Sequence, residues 1–371
     1  MIIPMKIISN PLTGITPDYP IENLGNRDEI LFLDIETTGL SAEFSMIYLI
    51  GCCYYERGRL TKRQWFAECP DDEAAILEDF SAFLSGFQTL VHFNGNQFDL
   101  PFLTERSRKH NISLSFDSFR GIDIYKRIFP YRHFLKLSNC KQKTLEQFLG
   151  IHREDTFTGG ELISVYRKYV KEKDADALFL LLQHNSDDIS GMIQLLPVLS
   201  YADFFQETPR ITKVQTNTYR NIHEEDCKEL LISFTFSSLF PRPISYHAND
   251  CYFSAREREG LVKVPIYTEE MKYFYSDYKN YYYLPEEDMA VHKSVASYVD
   301  AAFREQASAA TCYTRKLSSY LPQWDYVFEP FFKREYKSPN LFFELTEELK
   351  SNRDAFSRYV IHILEMMVKT H

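Results

Sequence analysis

LFLDIETTGL (31–40) decides how this chain folds. Its apolar residues are β-branched or bulky and read as a buried strand. Side chains alternate across a strand, so Asp34 and Glu36 face the same side as Phe32. Two neighbouring carboxylates at a strand end repel each other unless a cation holds both charges. Hard divalent ions such as Mg²⁺ take oxygen ligands of this kind.

Two further stretches carry acids in order. HFNGNQFDLPFL (92–103) supplies Asp99 and HNSDDI (184–189) supplies Asp188. Asp99 also reads as the N-cap of a helix with Pro101 in its first turn. His184 and Asp188 lie four apart on an expected helix and share one face, with Asp187 close by. A solvated polar stripe gives the same pattern. A His in such a place suits removal of a proton from water, because its pKa lies near neutrality.

Around these stretches, 30–36, 46–55, 60–67 and 88–93 read as strands, the first three as an antiparallel meander. Asp71 and Asp72 offer a cap for a helix reaching Leu84. Helices are expected over 99–110, 144–149, 160–171 and 174–199. Residues 1–27 read as an extension and 28–205 as one α/β domain. The polar stretch 206–226 reads as a linker, and 227–371 as a smaller α+β domain. In the last, 230–240, 246–255, 261–268 and 278–285 read as strands, with helices from Pro285 to about Ser308 and from Thr346 to Lys369.

The ordered acids resemble the DEDD superfamily of 3′–5′ exonucleases, the DnaQ-like branch of the ribonuclease H fold. DIETTGL matches its first motif and NGNQFDLPFL its second, while HNSDDI stands where the third belongs. The match is most similar to YprB-like ribonuclease H-like proteins, which also share KTLEQFLGI (143–151), and it covers about residues 28–200. The resemblance implies a mixed sheet with flanking helices. It also implies two Mg²⁺ or Mn²⁺ ions held by Asp34, Glu36, Asp99 and Asp188, with His184 as general base. Thr37 would lie near the terminal nucleotide, Leu40 either wedges beside its base or packs as a plain core residue, and Asn94 either contacts substrate or holds its turn. One departure stands out. His-type members place the His five residues before the Asp, whereas here the offset is four, as in tyrosine-type members. Asp187 is the second candidate for the ligand.

The 371 residues carry a formal net charge of −10, which argues against a chain coated in nucleic-acid-binding charge but leaves room for a local basic track. Such a track runs through Lys126, Arg127, Arg132 and Lys136, interleaved with Tyr125, Phe129, Tyr131 and Phe134, a pattern suited to phosphates and unpaired bases. Arg106, Arg108 and Lys109 add a smaller patch. MKYFYSDYKNYYYL (271–284) reads as strand tyrosines on a small core or as a stacking platform. Single-stranded DNA or RNA is the expected partner. No run of about 18 apolar residues suggests a membrane span. Seven scattered cysteines without zinc spacing read as reduced thiols in the cytoplasm. The competing readings are a binding module that kept this fold without turnover, and a protein-interaction scaffold.

Overall fold

The computed structural model describes residues 5–152 and 159–369. Its contacts divide into two units, Met1–Asp203 with Leu239–Pro241, and Phe204–Ser238 with Arg242–His371.

The first unit is built on a six-stranded sheet. Its strands are β1 (Met5–Pro11), β2 (Ile30–Thr37), β3 (Ile47–Glu56), β4 (Arg59–Ala67), β5 (Thr89–His92) and β6 (Arg120–Asp123). They lie in the order β1-β4-β3-β2-β5-β6. The pairs β2–β3, β3–β4 and β1–β4 are antiparallel, while β2–β5 and β5–β6 are parallel. A strand covered on both faces reads as a continuous apolar run. That is the case for β2, whose Ile30, Leu31, Phe32, Leu33 and Ile35 are all buried. Its pairing with β3 shifts register between Glu36 and Thr37, a bulge at the end that carries the acids.

The unit's helices are α1 (Glu73–Leu84), α2 (Asp99–Lys109), α3 (Ile124–Ile128), α4 (Gln142–Leu149), α5 (Gly159–Glu172), α6 (Ala175–Gln194) and α7 (Leu199–Phe204), the last reaching the first residue of the second unit. The single helix expected over 174–199 ends at Gln194. Pro197 lacks an amide hydrogen, so Leu196–Val198 form a tight turn instead. The stretch 1–27, expected as an extension, contributes β1 to the sheet edge through pairs running from Met5–Ala67 to Pro11–Thr61.

The second unit carries a six-stranded sheet in the order β14-β15-β13-β9-β8-β7. Its strands are β7 (Arg210–Arg220), β8 (Asp226–Ala248), β9 (Cys251–Phe274), β10 (Tyr281–Leu284), β11 (Met289–His292), β12 (Glu305–Gln306), β13 (Tyr313–Gln323), β14 (Phe331–Phe332) and β15 (Leu341–Glu344). β10, β11 and β12 form a separate three-stranded sheet. Asn249 and Asp250, both with positive φ, turn β8 into β9 as a two-residue hairpin loop requires. Helices α8 (Lys293–Ala296), α9 (Glu347–Ser351) and α10 (Arg353–Lys369) complete the unit.

Two expectations fail here. The stretch 206–226 is not a linker, because Arg210–Arg220 pair with Asp226–Thr235 as an edge hairpin. Its side chains are mostly exposed, so a real strand carries no apolar alternation. The helix expected from Pro285 to Ser308 is also absent. Glu286, Glu287 and Asp288 form a turn with Asp288 at φ 49°, and its carboxylate accepts the hydroxyls of Tyr283 and Tyr313. The acids that looked like a helix start serve a hairpin. No helix among the described residues is long and apolar enough to cross a membrane.

Candidate active site

Three elements converge on one acidic centre. Strand β2 presents Asp34 and Glu36 at its end. Asp99 is the first residue of α2. Helix α6 brings His184 and Asp188.

Asp99, expected as an N-cap, lies inside the helix instead, with Phe98 at the cap position. Its Oδ1 accepts the Ile35 amide at 3.2 Å, so it is fastened to the strand between the other two acids. The turn leading to it is clamped by Asp123, whose carboxylate accepts the amides of Asn94 (3.0 Å) and Asn96 (3.2 Å). Asn94 adopts φ 60°, so its backbone holds the turn, while its buried Oδ1 has no hydrogen-bond partner.

On α6, His184 Nε2 lies 3.2 Å from Asp188 Oδ2 and 3.7 Å from Glu36 Oε1. These three donors all fall within 4.8 Å of one another. Asp187 turns to a different neighbour, accepting from Gln183 on the same helix at 2.6 Å.

Sequence reasoning missed three supporting residues. Asn185 is fully buried and donates to Asp34 Oδ2 at 2.8 Å. Its own Oδ1 accepts from Gln64 of β4 at 2.8 Å, and Gln64 donates also to the Leu182 carbonyl at 2.9 Å. Gln64 thereby fixes which end of the Asn185 amide faces the acid. Gly51, opposite Asp34 on β3, makes room for this contact: a Cβ there would lie 2.0 Å from Asn185 Oδ1. The Tyr48 hydroxyl lies beside Glu36 and pulls its pKa down, and the ring stacks on Tyr166 at 4.3 Å. An Asn among helix polars and a Tyr in an apolar strand carry no distinguishing signal. Gly51 did, since a glycine inside an otherwise bulky strand marks a point of close approach.

The electrostatics follow from crowding. Burial, then the charges of Asp188, Glu36 and Asp99, push Asp34 well above the carboxylate range, and the Asn185 hydrogen bond opposes them. Glu36 is pushed up to about 8, chiefly by burial, with His184 pulling it down and Asp188 and Asp99 pushing it up. Asp99 rises to about 7 through burial, against the Ile35 amide. Carboxylates held this way have too little positive charge beside them to offset burial and mutual repulsion.

The loop between β2 and β3 stands beside these acids in the chain. Thr37 Oγ1 donates to Gly39 O at 2.7 Å and so braces the loop. Leu40 is 89% exposed and therefore no core residue, and Phe44 is 84% exposed. Arg106 reaches Ala42 O at 3.1 Å and Lys109 reaches Glu43 O at 2.5 Å, while buried Glu73 holds Arg106, His110 and the Ile47 amide. Arg108 pairs with Glu105 at 2.8 Å. The expected patch of Arg106, Arg108 and Lys109 is thus committed to internal bonds.

Lys126 and Lys136 are exposed, whereas Arg127 and Arg132 are half-buried. Arg132 lies 5.4 Å from the centre of the half-exposed Phe129 ring. Asp123 caps α3 by accepting from the Lys126 amide at 3.2 Å, so the basic run starts where the Asp99 turn is clamped.

A model of the RNase H superfamily matches residues 31–200. Over those residues the chain resembles a ribonuclease H-like domain. It is 27% identical over 176 residues to the uncharacterized protein YprB of Bacillus subtilis (strain 168), a match covering 46% of this chain and 41% of that protein. The match therefore spans less than half the length of that relative. Among solved structures, the family B DNA polymerase of the archaeon Pyrobaculum calidifontis aligns at TM-score 0.37 and 12% identity, covering 68% of this chain and 35% of that one. E. coli Exonuclease I in complex with a dT13 oligonucleotide aligns at TM-score 0.31 and 9% identity, covering 56% and 54%.

Proposed function

We propose that this protein is a metal-dependent nuclease that hydrolyses phosphodiester bonds, acting 3′–5′ on single-stranded DNA or RNA. The observation that carries this reading is the convergence of Asp34, Glu36, Asp99, Asp188 and His184 on one largely buried centre from β2, α2 and α6. The donor set is rich in carboxylate oxygen and its acids repel one another, which suits hard divalent ions. Asp34, Glu36, Asp99 and Asp188 would hold two Mg²⁺ or Mn²⁺ ions. Bound there, such ions neutralise charge gathering on the phosphate and lower the pKa of coordinated water.

The chain's own groups do the rest. Asn185 and the Ile35 amide orient Asp34 and Asp99. Tyr48 fixes Glu36. Leu40 and Phe44, exposed on a braced loop, offer apolar surface to the bases of an unpaired 3′ end. Lys126 and Lys136, with Arg127 and Arg132, offer charge to its backbone. Seven unbridged cysteines accord with a reducing, cytoplasmic setting.

Purified protein with Mn²⁺ should shorten a 5′-labelled single-stranded oligonucleotide from its 3′ end, and Asp34→Asn should stop it. Cleavage that survives this substitution would sink the proposed site. Oligonucleotide binding without cleavage under Mg²⁺ and Mn²⁺ would favour a binding module instead.

A further inference from the structure

Its place in the third motif assigns His184, by resemblance, to removal of a proton from water. Its geometry points elsewhere. Helical residues advance about 100° each, so an offset of five would set His and Asp side chains roughly 140° apart, whereas the offset of four found here leaves about 40°. The shorter offset turns both side chains toward β2. There the Nε2 of His184 lies 3.2 Å from Asp188 Oδ2 and 3.7 Å from Glu36 Oε1. Donors bonded at about 2.0–2.2 Å to one ion sit roughly 2.9–3.6 Å apart at neighbouring corners. The nitrogen therefore sits close to where a coordination corner falls. With its side chain 8% exposed, it faces the two carboxylates across a gap of ligand-to-ligand size.

We propose that His184 is a metal ligand, forming with Glu36 and Asp188 a mixed nitrogen–oxygen site that favours Mn²⁺, Co²⁺ or Zn²⁺ over Mg²⁺. This rests on the metal-dependent reading of the four acids and replaces only the base assignment. Imidazole nitrogen suits first-row transition ions, whereas Mg²⁺ prefers an all-oxygen shell. A helix offering His and Asp four residues apart presents both donors on one face, the same device by which paired ligands of zinc helices work. Asp34 and Asp99 stay outside this trio and remain free to complete an oxygen-only position beside it.

The test is a titration of the full chain with Mn²⁺, followed by pulsed electron paramagnetic resonance for nitrogen of a directly bound imidazole. The wild type should show that coupling, and His184→Gln and His184→Asp should lose it. Protection against thermal unfolding by Mn²⁺ and by Mg²⁺ gives the ratio of affinities. That ratio should fall at least about tenfold in His184→Asp, which restores an oxygen ligand. Bound Mn²⁺ without nitrogen coupling in the wild type would overturn the proposal, even if both variants failed to fold. An unchanged ratio in a folded His184→Asp would overturn it too. Nitrogen-bound metal without oligonucleotide cleavage would leave this site standing and remove the nuclease reading. Cleavage with no nitrogen coupling would do the reverse.

Discussion

The two units bury polar groups in opposite ways. In the second, four buried polar side chains end on backbone. Tyr359 donates to Pro322 O at 2.7 Å, Ser357 to Pro209 O at 2.6 Å, and His362 Nε2 accepts from the Trp324 amide at 2.9 Å. Gln323 donates to Phe328 O at 3.0 Å and accepts its amide at 2.9 Å. These contacts close loops and seat α10, and each removes a cost of burial. In the first unit, by contrast, buried carboxylates face carboxylates. Asn185 and His184 offset only part of that repulsion, so the centre is held by the fold around it at a cost in stability. Polar burial that satisfies itself is architecture; polar burial that needs an added charge marks a candidate site.

The sharpest way to break this contrast is Asp34→Asn. Cleavage should fall by about three orders of magnitude or more, as for loss of a ligand central to charge stabilisation. The metal-free variant should nevertheless melt at a higher temperature than the wild type, because a buried carboxyl that is costly to ionise is gone. A variant that loses both activity and stability would show that Asp34 is structural. Tyr359→Ala should do the opposite: a loss of about 3–5 kcal/mol in denaturant unfolding, the usual scale for a truncated buried aromatic. Mn²⁺ binding per folded molecule should not change.

Asn185→Ala tests the boundary between the two kinds of burial. It should weaken Mn²⁺ binding about 10–100-fold, measured by calorimetry, since removing a partner that orients a ligand has effects of that size. Unaltered affinity would mean that the contact with Asp34 is mere packing.

A pH series sharpens the contrast further. Glu36 and Asp99 stand at about 8 and 7 in the folded chain, above the ordinary values of 4.5 and 3.8. Between those limits the folded state holds more protons than the unfolded one, so stability falls as pH rises. The metal-free protein should therefore lose melting temperature from about pH 4 to pH 8, and Mn²⁺ should flatten the slope. A flat profile without metal would refute the crowding. The smallest effect belongs to the periphery. Lys136→Ala should lower the dependence of oligonucleotide affinity on salt by roughly one counterion, leaving single-turnover cleavage intact.

How much of this was legible beforehand depended on whether a feature is local. The β2–β3–β4 meander and α1 announce themselves through periodicity, because a half-buried element writes its packing into its own sequence. That Asp34, Glu36, Asp99 and Asp188 would lie close together was legible through motif order. Asn185, Gln64 and Tyr48 were not, since their meaning lies in partners far along the chain. β7 was hidden for a different reason. An exposed edge hairpin buries almost nothing, so RITKVQTNTYR looks like a tether while its backbone pairs in register. The turn at Glu286–Asp288 misled because acids that favour a helix start also accept hydroxyls at a hairpin corner.

Gly51 has a consequence for how the protein reaches its working form. It is the one position on β3 that tolerates the Asn185 amide, and it stands across from Asp34 only in the native register. A hairpin slipped by one residue would set Ile50 or Cys52 there, and α6 would have nowhere to lie. The glycine thus acts as a proofreading point: a chain whose central strands have paired wrongly cannot close over its own acids.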